Sequence, residues 1–141
     1  MMDVFLDASV LFSAAYSKTG ASRELIRLGI RGEVKLVISD LVYREARRNL
    51  ETKAPEAASE LDVFRQEGSF ETVKPSNEEV QVAMKYTAAK DAPVVAAAKT
   101  AQVDYLVSLD RSHLVGVSSV EEGSGLNVVL PGDLLKSLRE D

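Results

Sequence analysis

The stretch "DVFLDASVLFSAAY" (residues 3–16) joins a short apolar run to a longer one through a single carboxylate, Asp7. "DVFL" has the length and apolar character of a buried strand, and "ASVLFSAAY" has the length of a helix. An aspartate at such a junction most often caps the helix or forms a turn. Open parallel sheets, however, bind their ligands beyond the carboxyl ends of the strands, where Asp7 would lie. The stretch therefore predicts the first strand–helix unit of an α/β fold, with a carboxylate at the reactive edge.

The rest of the chain repeats this alternation of strand and helix. Apolar periodicity and turn residues predict helices at 22–32, 40–53, 55–68, 76–88, 91–102 and 131–138, and strands at 35–39, 70–73, 104–109 and 126–130. The stretch 116–125 is predicted to be a loop, or a loop around a short turn. Such alternation implies right-handed crossovers and a parallel sheet with helices on both faces. We predict one α/β domain over residues 1–141, a three-layer sandwich with a central, mostly parallel sheet of about five strands.

Composition narrows the class of protein. The chain has 141 residues, 45% of them hydrophobic and 28% charged, which suits one globular domain with a sizeable core. The absence of cysteine excludes disulfides, thiolate zinc sites and a cysteine nucleophile, and the single histidine argues against a Ser-His-Asp triad. The net charge of −5 argues against a broad basic surface, although not against a local basic rim around an acidic pocket. No apolar run approaches the ~20 residues of a membrane span and no signal-peptide pattern opens the chain, so we expect a cytoplasmic protein.

The position of each aspartate relative to its strand separates the candidate site residues from the rest. Asp110 ends the strand 104–109 as Asp7 ends the first strand, so both are expected at the crevice edge. Asp3 and Asp104 come at the starts of their strands and are expected at the opposite, inert edge. Taken singly, each crevice-side aspartate is more simply explained as a helix cap.

Two further acids occupy core-facing positions on predicted helices. Glu45 follows Leu41 and Val42 by four and three residues, which places it on the apolar stripe of its helix. A buried, unpaired carboxylate costs several kcal/mol, on the order of the desolvation penalty of an isolated ion. Asp91 precedes Val94 by three residues and heads a similar stripe, although an N-cap for the helix "APVV" explains it well.

Four carboxylates at one sheet edge would repel one another unless a cation held them together. Oxygen ligands suit hard divalent ions such as Mg²⁺ or Mn²⁺. The usual work of an all-carboxylate pocket of this kind is metal-assisted phosphoryl chemistry, in which one ion activates a water and a second, about 3.5–4 Å away, stabilises the leaving oxygen.

The order of these motifs resembles that of the PIN-domain ribonucleases, which include the VapC-type toxins. The resemblance rests on "FLDASVL", "VISDLVYREA" and "KDAPVVAAAKTAQVDYLVSLDRSHL", which supply Asp7, Ser9, Ser39, Glu45, Asp91, Ser108 and Asp110. The closing "LNVVLPGDLL" is similar to the last strand, proline and helix of the family. The resemblance therefore spans nearly the whole chain.

The resemblance implies a divalent-metal-dependent endoribonuclease, plausible as the toxin of a toxin–antitoxin pair. It implies that one or two Mg²⁺ or Mn²⁺ ions are bound by Asp7, Glu45, Asp91 and Asp110. It also implies that the hydroxyls of Ser9 and Ser108 orient those carboxylates, although local turn bonding explains each serine almost as well. The expected partners are RNA, single-stranded or structured, an antitoxin protein and a second copy of the chain in a homodimer; no membrane is expected.

Some positions near these motifs depart from the family pattern or have no fixed role in it. Ser112 stands where many relatives carry another acid, and His113, where relatives often have an aromatic or apolar residue, is better explained as a turn or packing residue than as a ligand. Six basic residues near these motifs could bind the backbone of a substrate, although each could equally be an ordinary surface residue. They are Lys18, Arg44, Arg47, Arg48, Lys90 and Arg111.

Two other functions fit a small α/β domain with acids at strand ends. A response-regulator-like receiver usually has paired acids after the first strand and a lysine ending a late strand, whereas "DVFLDAS" has no such pair and "DYLVSLD" ends in aspartate. A catalytically silent PIN-fold module that binds RNA or protein remains open, although the presence of all four acids weighs against it.

Overall fold

The computed structural model describes residues 1–68 and 70–140, which form a wholly parallel five-stranded sheet flanked by eight α-helices. The strands are β1 (Met2–Leu6), β2 (Val34–Ile38), β3 (Glu71–Thr72), β4 (Tyr105–Val107) and β5 (Asn127–Val129). The helices are α1 (Ala8–Tyr16), α2 (Ala21–Ile30), α3 (Asp40–Lys53), α4 (Ala58–Gly68), α5 (Asn77–Ala83), α6 (Ala92–Thr100), α7 (Ser118–Ser124) and α8 (Pro131–Glu140). The predicted fold class is confirmed.

The order of the strands places the start of the chain at the centre of the sheet. The order is β3-β2-β1-β4-β5, with Val4 opposite Leu36 on one side and Tyr105 on the other. The chain builds one half of the sheet outward from β1 and then returns to build the other half from β4. The strand order therefore reverses between β1 and β4, and the carboxyl ends of these two strands flank the crevice in which such sheets bind ligands.

The strands are continuous apolar runs in the sequence because they are buried in the core. Val4, Phe5 and Leu6 follow one another in β1 and are all fully buried, so both faces of the central strand are covered. Helices α1 to α4 pack against one another and α8 packs on α2, whereas α5 and α6 form a separate pair that reaches the sheet through β2. A small alanine cluster, centred on Ala83, Ala92 and Ala96, lies between α5 and α6.

The stretch 116–125 is mostly helical, and the prediction of a loop there is wrong. Helix α7 occupies Ser118–Ser124 and ends at Gly125, which has a φ of 75° in the left-handed region that favours glycine. Its Val120 is buried in the core, and Gly123 packs so closely on the ring of Tyr86 that a side chain would not fit. Serine and glycine content favoured a loop, but these tertiary contacts stabilise the helix.

Most boundaries lie within two residues of the predicted ones, and two others differ by more than that. Helix α5 ends at Ala83 instead of residue 88, and Tyr86 in the following turn packs against α7. The segment predicted as a helix from Pro55 begins as a short 3-10 turn over Pro55–Ala57 before α4 starts. In the described parts of the chain, no helix is both long enough and apolar enough to cross a membrane.

A close contact between α2 and β2 allows a test of this packing. A Cβ atom on Gly29 would lie 2.2 Å from Cδ1 and 2.6 Å from Cγ of Leu36, which is 2% exposed. We predict that Gly29→Ala lowers the free energy of unfolding by about 1–2 kcal/mol, because overpacking outweighs the gain in helix propensity. Gly132 in α8 has no atom of the described residues within 4 Å of such a Cβ, so Gly132→Ala is expected to be neutral or stabilising by up to ~1 kcal/mol. Urea denaturation of both variants measures the difference, and equal stabilities would contradict the packing.

Candidate active site

Asp7 lies at the carboxyl end of β1, and both of its carboxylate oxygens accept hydrogen bonds. Its Oδ1 accepts from the main-chain N–H of Ala8 at 2.8 Å. Its Oδ2 accepts from the hydroxyls of Ser108 at 2.8 Å and Ser9 at 3.2 Å. The side chain is thus oriented by the first turn of α1 and by the residue that follows β4.

The same two serines join the ends of the two central strands. The hydroxyl oxygen of Ser9 accepts the N–H of Leu109 at 3.1 Å, and that of Ser108 accepts the N–H of Asp110 at 3.0 Å. Ser108 is fully buried, so its hydroxyl must find partners within the protein. Each serine donates to Asp7 and accepts from the turn after β4, which sets the distance between the two strand ends.

Asp110 begins a tight turn, and one of its oxygens holds that turn. Its Oδ1 accepts from the N–H groups of Ser112 and His113, both at 3.0 Å. Its Oδ2 lies 3.8 Å from the ammonium of Lys90 and 3.4 Å from Nδ1 of His113. One oxygen is therefore used by the turn, and the other is directed toward basic groups.

Asp91 precedes α6, but its side chain does not cap that helix. The N-cap position carries no side-chain hydrogen bond, and within residues 1–68 and 70–140 its buried Oδ2 has no hydrogen-bond partner. The ammonium of Lys90, 3.8 Å away, is the nearest basic group to that oxygen in the described ion pairs. Asp91 therefore does not cap α6, and its buried Oδ2 is available to a ligand.

Glu45 is presented by α3 on the side that faces the first helix. The helix begins after Ser39, whose hydroxyl caps it by accepting the N–H of Val42 at 3.2 Å. Glu45 is followed at successive turns by Asn49 and Lys53, and all three line the same cleft.

The four predicted acids meet in one cleft of about 440 Å³ at the carboxyl edge of the sheet. Asp7, Glu45, Asp91 and Asp110 all line it, together with Ser9, while Ser108 lies buried beneath Asp7. Asp104 lies at the other edge, where its carboxylate accepts the main-chain N–H of Asp3 at 2.8 Å. The positions of the strand ends therefore separate the two groups of aspartates as the sequence predicted.

Burial, repulsion and hydrogen bonds shift the pKa values of the three aspartates in different directions. Burial raises the pKa of Asp7 above its ordinary value, and the charge of Asp110 adds to the effect. Burial also raises the pKa of Asp91, with Asp110 and Asp7 adding to it and Lys90 opposing it. Burial acts against ionisation of Asp110 too, but the N–H groups of His113 and Ser112, with Lys90, hold its pKa below the ordinary range. Bringing these charges together is unfavourable until a cation compensates them.

The donor set fits a hard divalent ion. Asp91, Asp110 and His113 each offer a ligand atom within 4.8 Å of the other two. Asp91 also has a buried oxygen, Oδ2, without a hydrogen-bond partner in the described residues, and carboxylate oxygens are the ligands that Mg²⁺ and Mn²⁺ prefer. His113 lies in the turn after β4, as the sequence favoured, with its main-chain N–H bound by Asp110, and its ring nitrogen Nδ1 also lies 3.4 Å from Oδ2 of Asp110.

The basic side chains divide into those in the cleft and those engaged elsewhere. Lys90 lines the cleft, as its position in the sequence suggested. Arg44 instead pairs with Asp40, and Arg47 joins α3 to α4 through Asp62. The other three candidates, outside the cleft lining, are exposed: Lys18, Arg48 and Arg111.

Lys53 is the basic cleft residue that sequence reasoning missed. It lies eight residues after Glu45, so helical periodicity would have placed it on the same face of α3. Its ammonium is 5.8 Å from the centroid of the Phe12 ring on α1. Phe12 and the exposed Leu109 complete the apolar part of the lining.

Comparison with known proteins agrees with this arrangement. Residues 3–112 match the family model of the PIN domain. The chain belongs to the PIN-domain family. No curated protein matches its sequence. Among solved structures, the PIN domain is similar to PAE2754 from Pyrobaculum aerophilum, at 20% identity and a TM-score of 0.68, over 99% of this chain and 91% of that one.

Two further solved structures share this fold. VapBC2 from Rickettsia felis, solved with a DNA fragment from its promoter, is 14% identical with a TM-score of 0.64, over 90% of this chain and 97% of that one. VapC20 from Mycobacterium tuberculosis, described as a Sarcin-Ricin loop cleaving toxin, is 15% identical with a TM-score of 0.57, over 77% and 91%. At such identities the likeness shows the PIN fold.

The raised pKa of Asp7 predicts how its neutralisation changes stability in metal-free protein. A folded-state pKa above the unfolded value of about 3.9 means that ionisation costs folding free energy. That cost is absent below the unfolded pKa and grows as the pH rises through the folded one. We predict that the stability of Asp7→Asn relative to wild type is higher at about pH 7 than at about pH 3.5, because only the wild-type carboxyl carries this cost. Thermal unfolding at both pH values in the presence of a chelator measures this, and a wild-type advantage that grows with pH would contradict it.

Proposed function

We propose that this PIN domain is a divalent-metal-dependent endoribonuclease that acts as the toxin of a toxin–antitoxin pair. The observation that carries the proposal is the convergence of Asp7, Glu45, Asp91 and Asp110 in one cleft where the strand order reverses. The buried, unpartnered Oδ2 of Asp91 supports a cation there. A purely structural role would not explain why Lys90, 3.8 Å from both Asp91 and Asp110, is the one lysine paired with these acids in the described residues.

The four carboxylates would hold Mg²⁺ or Mn²⁺, with the imidazole of His113 within reach of two of them. When bound, such an ion supplies activation of a water nucleophile and stabilisation of the charge that develops on the phosphodiester. The chain itself contributes orientation. The hydroxyls of Ser9 and Ser108 fix the carboxylate of Asp7, and the turn after β4 fixes that of Asp110.

The cleft also contains groups that can receive a phosphate. Lys90 lies 3.8 Å from both Asp91 and Asp110, so its ammonium borders the acids without forming a close hydrogen-bonded pair with either. A substrate phosphate entering beside Lys90 would be brought next to the carboxylate cluster. Local attraction of this kind allows a protein of net charge −5 to bind a polyanion at one place.

RNA as the substrate and an antitoxin as the partner are supported by the similar structures. One of them is described as a toxin that cleaves the Sarcin-Ricin loop, and another is a VapBC pair. The acidic cleft offers an electrostatic target for a basic side chain of an inhibitory partner, and the exposed Ile30 on α2 and Leu41 on α3 could contact a partner helix. The second candidate is a PIN module that binds RNA without cutting it, and the unpartnered Asp91 weighs against it.

Metal-dependent cleavage tests the proposed chemistry. We predict that Asp91→Asn and Asp110→Asn lower the rate of RNA cleavage at least about 100-fold, because each removes a charge from the metal-binding set. Chelation is expected to abolish the wild-type activity, and Mg²⁺ or Mn²⁺ to restore it. Single-stranded or looped RNA is expected to be cut faster than duplex DNA at equal salt concentration.

Asp104→Asn is the matched control for these variants, since Asp104 lies at the opposite edge of the sheet. It is expected to retain the wild-type rate. Full activity of Asp91→Asn or Asp110→Asn, with folding verified by circular dichroism, would overturn the assignment of the site. RNA binding without cleavage by the wild type would favour the silent module.

Toxicity is a separate prediction. Expression of the chain alone is expected to arrest bacterial growth, and Asp7→Asn to relieve the arrest, because the loss of one metal ligand removes the nuclease activity. Growth curves and immunoblots at matched expression levels measure this. Equal growth with both proteins would remove the toxin assignment while leaving the nuclease assignment intact.

A further inference from the structure

Two aromatic rings on α1 extend from the cleft to the protein surface. Phe12 lines the cleft, and Tyr16 lies one helical turn further along. Their rings are nearly parallel, with centroids 5.8 Å apart and an interplanar angle of 14°. Tyr16 is 64% exposed, so its ring is accessible from solvent. We call Phe12 and Tyr16 the aromatic ledge.

A lysine from a different helix lies beside the aromatic ledge. Lys53 on α3 lines the cleft together with the four acids, and its ammonium lies 5.8 Å from the ring of Phe12. Among the ion pairs of residues 1–68 and 70–140, none includes Lys53, whereas Arg44 and Arg47 on the same helix are paired. Lys53 is thus available to an anion that lies between the ledge and the carboxylates.

An exposed ring and an available cation are what single-stranded nucleic acid requires of a protein surface. Unpaired bases stack on aromatic faces, and the phosphate that follows each base pairs with a basic side chain. We propose that Tyr16, supported from within by Phe12, stacks on an unpaired base of the RNA substrate while Lys53 binds the adjacent phosphate. This proposal rests on the proposed ribonuclease function and deepens it, because the ledge positions one nucleotide next to the carboxylate cluster.

The composition of the surface favours a nucleotide over a protein as the occupant. The neighbours of the ledge along α3 are Glu45, Asn49 and Lys53, which are charged or polar. A docked helix would require several apolar anchors spaced along its length. Two rings next to a cation match one base and one phosphate. A base in a duplex is already stacked on both faces, so the ledge selects single strands or loops and tolerates different bases.

A fluorescent reporter tests the stacking directly. The chain has no tryptophan, so Tyr16→Trp introduces a single indole at the ledge. We would place it in the Asp7→Asn background without added metal, so that RNA is bound and not cleaved. Titration with a short oligouridylate is expected to quench the indole emission, because a stacked base quenches it. An abasic ribose-phosphate oligomer of equal length carries the same charge and is expected to leave the emission unchanged.

Matched variants distinguish the two contacts, all in the same Asp7→Asn background. Tyr16→Leu keeps apolar bulk but loses the ring, and is expected to weaken oligouridylate binding about 5- to 100-fold without weakening abasic binding. Tyr16→Phe keeps the ring and is expected to bind normally. Lys53→Gln is expected to weaken both oligomers and to reduce the salt dependence of binding by about 0.7 in slope for the one lost phosphate contact. Val82→Trp, at an exposed position on α5, is the reporter control and is expected to show no quenching.

The outcomes of these experiments distinguish a failure of the aromatic ledge from a failure of the proposed ribonuclease function. Quenching by the abasic oligomer equal to that by oligouridylate, or unchanged RNA binding by Tyr16→Leu, would overturn the ledge even if wild-type protein cleaves RNA. A change in sedimentation coefficient of Tyr16→Leu with unchanged RNA binding would assign the rings to a protein interface instead. Base-dependent quenching supports the ledge whether or not cleavage is observed, since the measurement requires neither metal nor turnover.

Discussion

The carboxylate of Asp7 is held at the reversal of strand order by two hydroxyls that also hold the opposite strand end. Ser9 and Ser108 both donate to its Oδ2, and they accept the main-chain N–H groups of Leu109 and Asp110. Those N–H groups lie beyond the end of β4, so the serine oxygens satisfy donors that the sheet leaves free. Because each hydroxyl serves both sides, the position of Asp110 is coupled to that of Asp7. The centre of the network, Ser108, is fully buried, where hydrogen bonds are electrostatically stronger and an unsatisfied group is costly.

This arrangement keeps like charges close at the expense of stability. The pKa values of Asp7 and Asp91 are both raised by burial, and repulsion from Asp110 adds to each shift. Lys90 lies 3.8 Å from two of the acids and compensates them only in part. A core optimised for stability alone would have paired or replaced these groups. These acids destabilise the fold when no ligand is bound, and one cation among them would stabilise it. This is typical of a binding site that is unstable without its ligand.

The sequence predicts those features of this protein that depend on local pattern and on the edge rule of parallel sheets. Asp7 and Asp110 follow apolar strands, and the common direction of the strands places them together; Glu45 was identified by its position on the apolar stripe of α3. The orientation of Asp91 could not be predicted, since an N-cap and a cleft acid occupy the same position in the sequence. Helix α7 was missed because tertiary contacts, including the packing of Gly123 on Tyr86, override its local preference for a loop. Residues whose roles depend on contacts between distant elements remain beyond such reasoning.

The distribution of positive charge then limits how an acidic PIN domain can bind a polyanion. The net charge of −5 provides no long-range attraction for RNA, and several arginines, such as Arg44 and Arg47, are neutralised by neighbouring acids. Lys90 and Lys53 are the two lysines that line the cleft, one beside the carboxylates and the other beside the ring of Phe12. If this chain binds RNA as proposed, so few phosphate contacts would give binding a shallow salt dependence and little non-specific component. Under the proposed function, selectivity would then come from short-range contacts with an unpaired base and from the geometry of the four acids, both of which require the phosphate backbone to enter the cleft in an extended, single-stranded form.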